Sequence, residues 1–140
     1  MNINADDELN IFEGYTHNTM LCIYQLSDPA PFQEFSVHTG GLRKLLRCER
    51  FHESVVKADR RFIAPGEKST FVLDRVQGGG HVGLAAGYYN LQPGLATITS
   101  SFPVTVKPKA LPPWSKKYNP GTLTMDILMG PYSIQNMGVH

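Results

Sequence analysis

Five histidines, two cysteines and one glycine-rich hexapeptide are the residues of this chain with the most chemical reach. The histidines are His17, His38, His52, His81 and His140, and none is spaced as H-x-H, H-x-x-x-H or H-E-x-x-H. Such spacings let two imidazoles on one strand face or one helical turn converge on a tetrahedral zinc. Without them a metal site would have to be assembled from distant parts of the chain. Asp6-Asp7-Glu8 lacks the alternation and the central glycine of a calcium-binding loop. Gly78-Gly79-Gly80-His81-Val82-Gly83 fits G-x-G-x-x-G letter for letter. A dinucleotide site would need a helix to begin there, and an acid about 20 residues on for the ribose. Tyr88, Tyr89 and Pro93 follow instead, and no acid stands at the required distance, so a loop between strands is the better reading. Ser54-Val55-Val56-Lys57 matches S-x-x-K, but the S-D-N and K-T-G partners of that chemistry are missing. G-x-S-x-G and C-x-x-C do not occur. These patterns predict no catalytic centre, no cofactor and no metal.

Cys22 and Cys48 leave two readings open. They could form one disulfide, pointing to an oxidising compartment, or remain two buried thiols acting as small hydrophobes. Cys22 lies inside an apolar run with no leader before it, so it is not expected to carry a lipid.

The bulk numbers describe an ordinary globular domain. The 140 residues suit a single unit spanning 1–140, and 41% hydrophobic with 18% charged is too apolar for disorder. Thirteen basic against twelve acidic residues give no electrostatic reason to expect nucleic acid. No apolar run reaches the roughly 18 residues of a membrane span. No signal segment opens the chain, which fits either a cytoplasmic protein or an exported one given without its leader.

The elements that would position any site read mostly as strands. Val82 to Tyr89 carries no charge, lies between the triple glycine and Gln92-Pro93-Gly94, and is expected to be the central strand, covered on both faces. Asn2 to Ala5 suggests a first short strand, and Met20 to Leu26 a clear one stopped by Ser27-Asp28-Pro29. One short helical segment is expected between Phe32 and Arg50, interrupted at Gly40-Gly41, with Leu42, Leu45 and Leu46 as its apolar stripe. Arg43, Lys44, Arg47 and Arg50 form a basic row on another face, which reads first as a solvated surface and second as a contact for lipid headgroups or an acidic partner. Lys57 to Ala64 and Thr70 to Val76 are expected to pair across the Pro65-Gly66 turn. Leu95 to Val106, Thr122 to Met129 and Tyr132 to Met137 supply further strands, with a loop from Leu111 to Gly121. Seven or eight short strands at close spacing predict an all-β, two-sheet sandwich.

Several blocks in this order resemble the TssJ outer-membrane lipoproteins of type VI secretion systems. Leu9-Asn10 is similar to a Leu-Asn that precedes a loop in that family. Ile23-Tyr24-Gln25-Leu26 with Asp28 and Phe32 resembles the end of its YQL strand, and Ile63-Ala64-Pro65-Gly66-Glu67 its L-x-P-G-E turn. Val82 to Tyr88 is similar to its VGVVA strand. The blocks span about residues 9 to 106. Two family features are missing: the acylated N-terminal cysteine, and the arginine and tryptophan that often follow the central strand. The resemblance implies a transthyretin-like, antiparallel β-sandwich with a short helical insertion. It further implies a periplasmic protein tethered to the inner leaflet of the outer membrane by a lipid on a cysteine upstream of Met1. Its implied partner is the periplasmic C-terminal part of the large inner-membrane subunit TssM.

In the resembled family the loop between the first two strands contributes to that docking, and here it runs from about Asp7 to Asn18. Glu8, Leu9, Asn10, Phe12, Glu13 and Tyr15 are therefore the expected partner-binding residues. Composition agrees: Leu9, Phe12 and Tyr15 are apolar or aromatic anchors within a charged rim. The competing expectation for Leu9 and Phe12 is that they fold back to close one end of the sandwich. The competing function is a periplasmic carbohydrate or small-molecule binding module, with Tyr88, Tyr89 and Trp114 as its platform.

Overall fold

The computed structural model describes residues 1–102 and 125–139. The strands are β1 (Asn2–Ala5), β2 (Thr19–Leu26), β3 (Val55–Ile63), β4 (Lys68–Thr70), β5 (His81–Ala86), β6 (Thr97–Ser101), β7 (Met125–Met129) and β8 (Ile134–Val139). Two short helices, α1 (Ala30–Ser36) and α2 (Thr39–Leu45), separate β2 from β3. The strands form two four-stranded sheets, ordered β4-β1-β7-β8 and β3-β2-β5-β6. The all-β sandwich with a helical insertion is thus the observed architecture. One pair departs from the antiparallel rule: β1 runs parallel to β7, with Ile3 opposite Ile127.

The second sheet is covered on both faces, and the alternation of β2 shows how. Leu21, Ile23 and Gln25 share one face; Cys22, Tyr24 and Leu26 share the other. All six are buried. On the first face Leu21 and Ile23 sit beside Ala86 and Leu84 of β5; Ile3, Met125, Ile127 and Met129 of the other sheet belong to the same core. On the second face the helices bring Phe32, Leu42 and Leu45 down onto the sheet. There Tyr24, Phe32, Phe35 and Phe51 make edge-on and tilted ring contacts with centroids 5.1–6.3 Å apart. The Tyr24 hydroxyl donates to the carbonyl of Leu45, and a disulfide joins Cys22 to Cys48 across a Cα separation of 5.1 Å. The helices are therefore pinned to β2 by a packed aromatic cluster, a buried hydrogen bond and a covalent link.

The central strand is β5, which lies between β2 and β6 and ends at Ala86, earlier than its apolar run suggests. Its Gly83 is required: a Cβ there would lie 2.8 Å from Cε2 of Phe32. Gly40 and Gly41 do not interrupt a helix but fall in the first turn of α2. His38 caps that turn, its Nδ1 accepting from the backbone N–H of Gly41 at 2.9 Å. Gly41 crosses the Phe35 carbonyl so closely that a Cβ would sit 2.0 Å from its oxygen. The glycines permit a tight α1–α2 corner, which divides the expected single helical segment into two.

The expected pairing of Lys57–Ala64 with a strand from Thr70 to Val76 does not form: β4 covers only Lys68–Thr70 and pairs with β1, whereas β3 pairs with β2 in the other sheet. Beyond β4 the side chain of buried Gln25 takes the place of a ladder. Its Nε2 donates to the Asp74 carbonyl at 2.7 Å, and its Oε1 accepts from the Val76 N–H at 2.9 Å. The expected residues 103–106, the 111–121 loop and the start of the 122–129 run lie outside the described residues. No described helix is long and apolar enough to cross a membrane.

Candidate functional site

The Asp7–Asn18 loop leaves the end of β1 and enters β2, and it is built from short local bonds. Asp6 Oδ1 accepts from the Glu8 N–H at 2.8 Å, and the Asp6 carbonyl from the Leu9 N–H at 3.0 Å, turning the chain inward. Leu9 is fully buried and closes that end of the sandwich. Asn10 follows in the left-handed region (φ 52°), where asparagine is tolerated better than most residues. The chain then reverses at Phe12-Glu13-Gly14-Tyr15. Phe12 and Tyr15 exchange both backbone bonds, 2.8 and 3.1 Å, around two residues with positive φ (51° and 81°). That combination is the signature of a two-residue type I′ turn.

A second loop meets the first. Asn10 Oδ1 accepts from the backbone N–H of Tyr89 at 2.9 Å. The Tyr89 ring stacks on Phe12, centroids 5.2 Å apart and planes 13° apart, and His17 packs on Tyr89 at 4.4 Å. His17 Nδ1 lies 3.0 Å from the Asn10 carbonyl, which can only accept, so Nδ1 carries the proton there. Phe12, Tyr15 and Tyr89 are 41%, 74% and 60% exposed. They form an aromatic ridge whose backbone is fixed from beneath, the arrangement expected of interface anchors held at low entropic cost.

The six residues expected to bind a partner divide accordingly. Phe12, Tyr15, Glu8 and Glu13 stand at the surface; Leu9 and Asn10 are buried and serve to shape the loop. Sequence reasoning had kept Tyr89, as part of a ligand platform, apart from the 7–18 loop, whereas the structure brings it onto that loop. It missed His17 as a packing partner, and it missed Phe62, 66% exposed on β3. The only signal for Phe62 was an aromatic at an outward position of an alternating strand.

Between Phe62, Tyr89 and α2 lies an open groove of about 410 Å³, with Met20, Gly87, Tyr88 and Leu91 along it and Arg43 at its side. Tyr88 does not offer a ring face to a ligand. It is 4% exposed, burial raises the pKa of its hydroxyl, and that hydroxyl has no hydrogen-bond partner among the described residues. Trp114 lies outside the described residues, so of the expected sugar platform only Tyr89 is placed on the surface. Among the described residues no three His, Cys, Asp or Glu side chains converge on a point that could hold a metal.

The described residues thus form a sandwich of two four-stranded sheets with a disulfide-pinned helical pair and an exposed aromatic ridge on the loop between β1 and β2. Residues 1–127 match the family model described as type VI secretion lipoprotein (VasD, EvfM, TssJ), and the chain belongs to that family. No curated protein sequence matches it. Among solved structures it is similar to the type VI secretion lipoprotein TssJ1 from Pseudomonas aeruginosa, with 18% identity, 99% of this chain and 92% of that one covered, and a TM-score of 0.71. It is also similar to Serratia marcescens Lip, a membrane-bound component of the type VI secretion system, with 16% identity, 98% and 94% covered, and a TM-score of 0.72. A chain in the structure described as the TssM C-terminal domain from EAEC matches at 14% identity, 99% and 96% covered, and a TM-score of 0.69. At these identities the structural likeness speaks for the fold.

Proposed function

We propose that this protein is a non-enzymatic scaffold of the type VI secretion membrane complex. It docks the periplasmic C-terminal domain of the inner-membrane subunit TssM to the outer membrane, to which it is held in the native form by an N-terminal lipid. The observation that carries the reading is the aromatic ridge of Phe12, Tyr15 and Tyr89, exposed yet locked by the Asn10–Tyr89 bond. Family membership supplies the context, and the charged rim of Glu8 and Glu13 fits a protein interface with an apolar centre. Phe12→Ala with Tyr15→Ala should cost roughly 2–4 kcal/mol of binding and less of stability, since Tyr15 is largely solvated and Phe12 partly so in the free protein. Surface plasmon resonance against the TssM periplasmic domain, paired with a thermal melt, tests both halves. Unchanged affinity in the folded double variant would overturn the ridge as the docking surface.

A further inference from the structure

The groove beside the ridge has a composition that a solvated surface does not require. Arg43 is the only charged residue lining it, is exposed, and has no carboxylate within ion-pair distance among the described residues. Phe62 and Tyr89 both line it, with 66% and 60% of their surfaces open to solvent. Along the groove lies Gly87, which nothing in the backbone obliges to be glycine. It is outside the left-handed region, and a Cβ there would meet Met20 O, Met20 Cβ and Leu46 Cδ2 at 3.6–3.8 Å, ordinary contact distances. The missing side chain therefore leaves space in the groove. Tyr89 belongs both to the groove and to the ridge, so the two surfaces are continuous.

We infer that this groove is a second, electrostatically selective part of the docking surface. It receives a partner segment in which an aspartate or glutamate stands next to a large apolar side chain. The inference rests on the docking reading above. An unpaired guanidinium beside a depression of mixed lining, with Asn18 as well as Phe62, Tyr89 and Leu91 in it, is complementary to a carboxylate and can bind it through two parallel N–H donors. The volume lies within the range of about 300–1,000 Å³ typical of ligand sites, room for a large side chain and its neighbour. A polypeptide fits better than a small molecule, because the groove is open and offers a single charged group instead of several converging polar ones. The apolar residue would lie over Gly87 alongside Phe62 and Tyr89, with its acidic neighbour against Arg43.

The test is surface plasmon resonance of the full chain against the TssM periplasmic domain, with each variant checked by thermal melt. Arg43→Glu should weaken binding about 30-fold or more, and Arg43→Lys less, because the forked donor is lost but the charge is kept. Gly87→Leu, which fills the groove without touching a charge, should weaken binding about tenfold. Arg50→Glu, on the same basic row but away from the groove, should stay within about threefold. If Arg43→Glu and Gly87→Leu both bind like wild type while the Phe12/Tyr15 double variant does not, the groove is overturned and the docking reading stands. If wild type fails to bind the domain at all, the docking reading falls and takes the groove with it. A wild-type dimer in sedimentation that Gly87→Leu dissociates would assign the groove to a second copy of the chain and overturn the proposed occupant.

Discussion

Asn10 and Tyr89, 79 positions apart, are joined by a hydrogen bond of 2.9 Å from the Tyr89 N–H to the Asn10 side-chain oxygen. The bond is partly buried, with Asn10 itself inside the fold, and it joins the two loops whose Phe12 and Tyr89 rings stack. It couples the loop after β1 to the loop after β5, so that two segments of different sheets present one surface. Two features of Asn10 serve this: its amide reaches a distant backbone, and its backbone accepts the left-handed conformation.

Asn10→Ala removes both. The lost buried bond should cost about 1–3 kcal/mol, and alanine in the left-handed region about 1 kcal/mol more. A lowered melting temperature is the first expected readout. The second is faster amide exchange at Tyr89, because its N–H would lose its acceptor. Unchanged exchange at Tyr89 would show that the loop is held by other contacts.

The Cys22–Cys48 disulfide closes a separation of 26 residues, for which the chain-entropy account gives roughly 3.5 kcal/mol of stabilisation. Neither cysteine lies in a C-x-x-C pair, and no free cysteine is present to exchange with the bond. Alanine at both positions should lower the melting temperature by an amount similar to that produced by adding reductant to the wild type. Binding of the folded variant should be unchanged, since neither cysteine lines the groove or touches the rings of the ridge. Loss of binding in a folded variant would give the bond a role in shaping the docking surface.

Gly83 and Phe32 should behave as a coupled pair. A Cβ at Gly83 would lie 2.8–3.0 Å from three atoms of the Phe32 ring, so Gly83→Ala should destabilise by about 1–3 kcal/mol through overpacking. Phe32→Leu alone should also destabilise, by leaving space under α1. Combined, the two should cost less than their sum, because the smaller side chain yields to the new methyl. Strict additivity in denaturant melts would contradict that packing.

Much of this was legible in the chain because it depends on local pattern. The charge-free run around Leu84, the Met20–Leu26 strand and the leucines of α2 are buried where alternation and helical spacing put them. What escaped depends on long-range partners. Nothing in the composition of residues 71–76 shows that a glutamine 51 positions earlier will replace their ladder. Gly40-Gly41 reads as a helix breaker until the Phe35 carbonyl is seen to occupy the space of a side chain. Likewise the ridge could be guessed from Phe12 and Tyr15, but its second half required the spatial approach of Tyr89.

Tyr24 gives the fold an alkaline limit. Its hydroxyl is buried on the helical face, and burial pushes its pKa up to about 12, with backbone hydrogen bonds opposing the rise. The folded chain therefore holds this proton more tightly than the unfolded chain, whose tyrosine titrates near 10. The associated stability is fully present below about pH 10 and is lost as pH rises from there through about 12. Tyr88 is shifted in the same direction by burial alone and adds to the effect. Tyr24→Phe should be less stable at neutral pH, since the bond to the Leu45 carbonyl is gone, yet lose less stability between pH 9 and about 12 than wild type. A variant as alkali-sensitive as the parent would remove Tyr24 from the account.

The last prediction concerns the tip of the ridge, where the Glu13-Gly14 turn is suboptimal by its own geometry. Both residues have positive φ, and the two-residue type I′ turn favours Asn-Gly over Glu-Gly because asparagine tolerates the left-handed region. Glu13→Asn should therefore stabilise the tip by roughly 0.5–1 kcal/mol without changing any buried contact. Gly14→Ala should act in the opposite direction. Its Cβ would meet nothing within 4 Å, so strain at φ 81° is the whole penalty, about 1 kcal/mol. Amide exchange at Phe12 and Tyr15, whose N–H groups close the turn, reads the local change directly: slower in Glu13→Asn, faster in Gly14→Ala. If the rings of Phe12 and Tyr15 anchor a partner, the stiffer tip should slow dissociation, because less freedom remains to be lost on binding. The removed glutamate should act mainly on the association rate and its salt dependence. Separate measurement of the two rate constants keeps these effects apart. Unchanged dissociation together with slowed exchange at the tip would mean that the partner does not grip the turn.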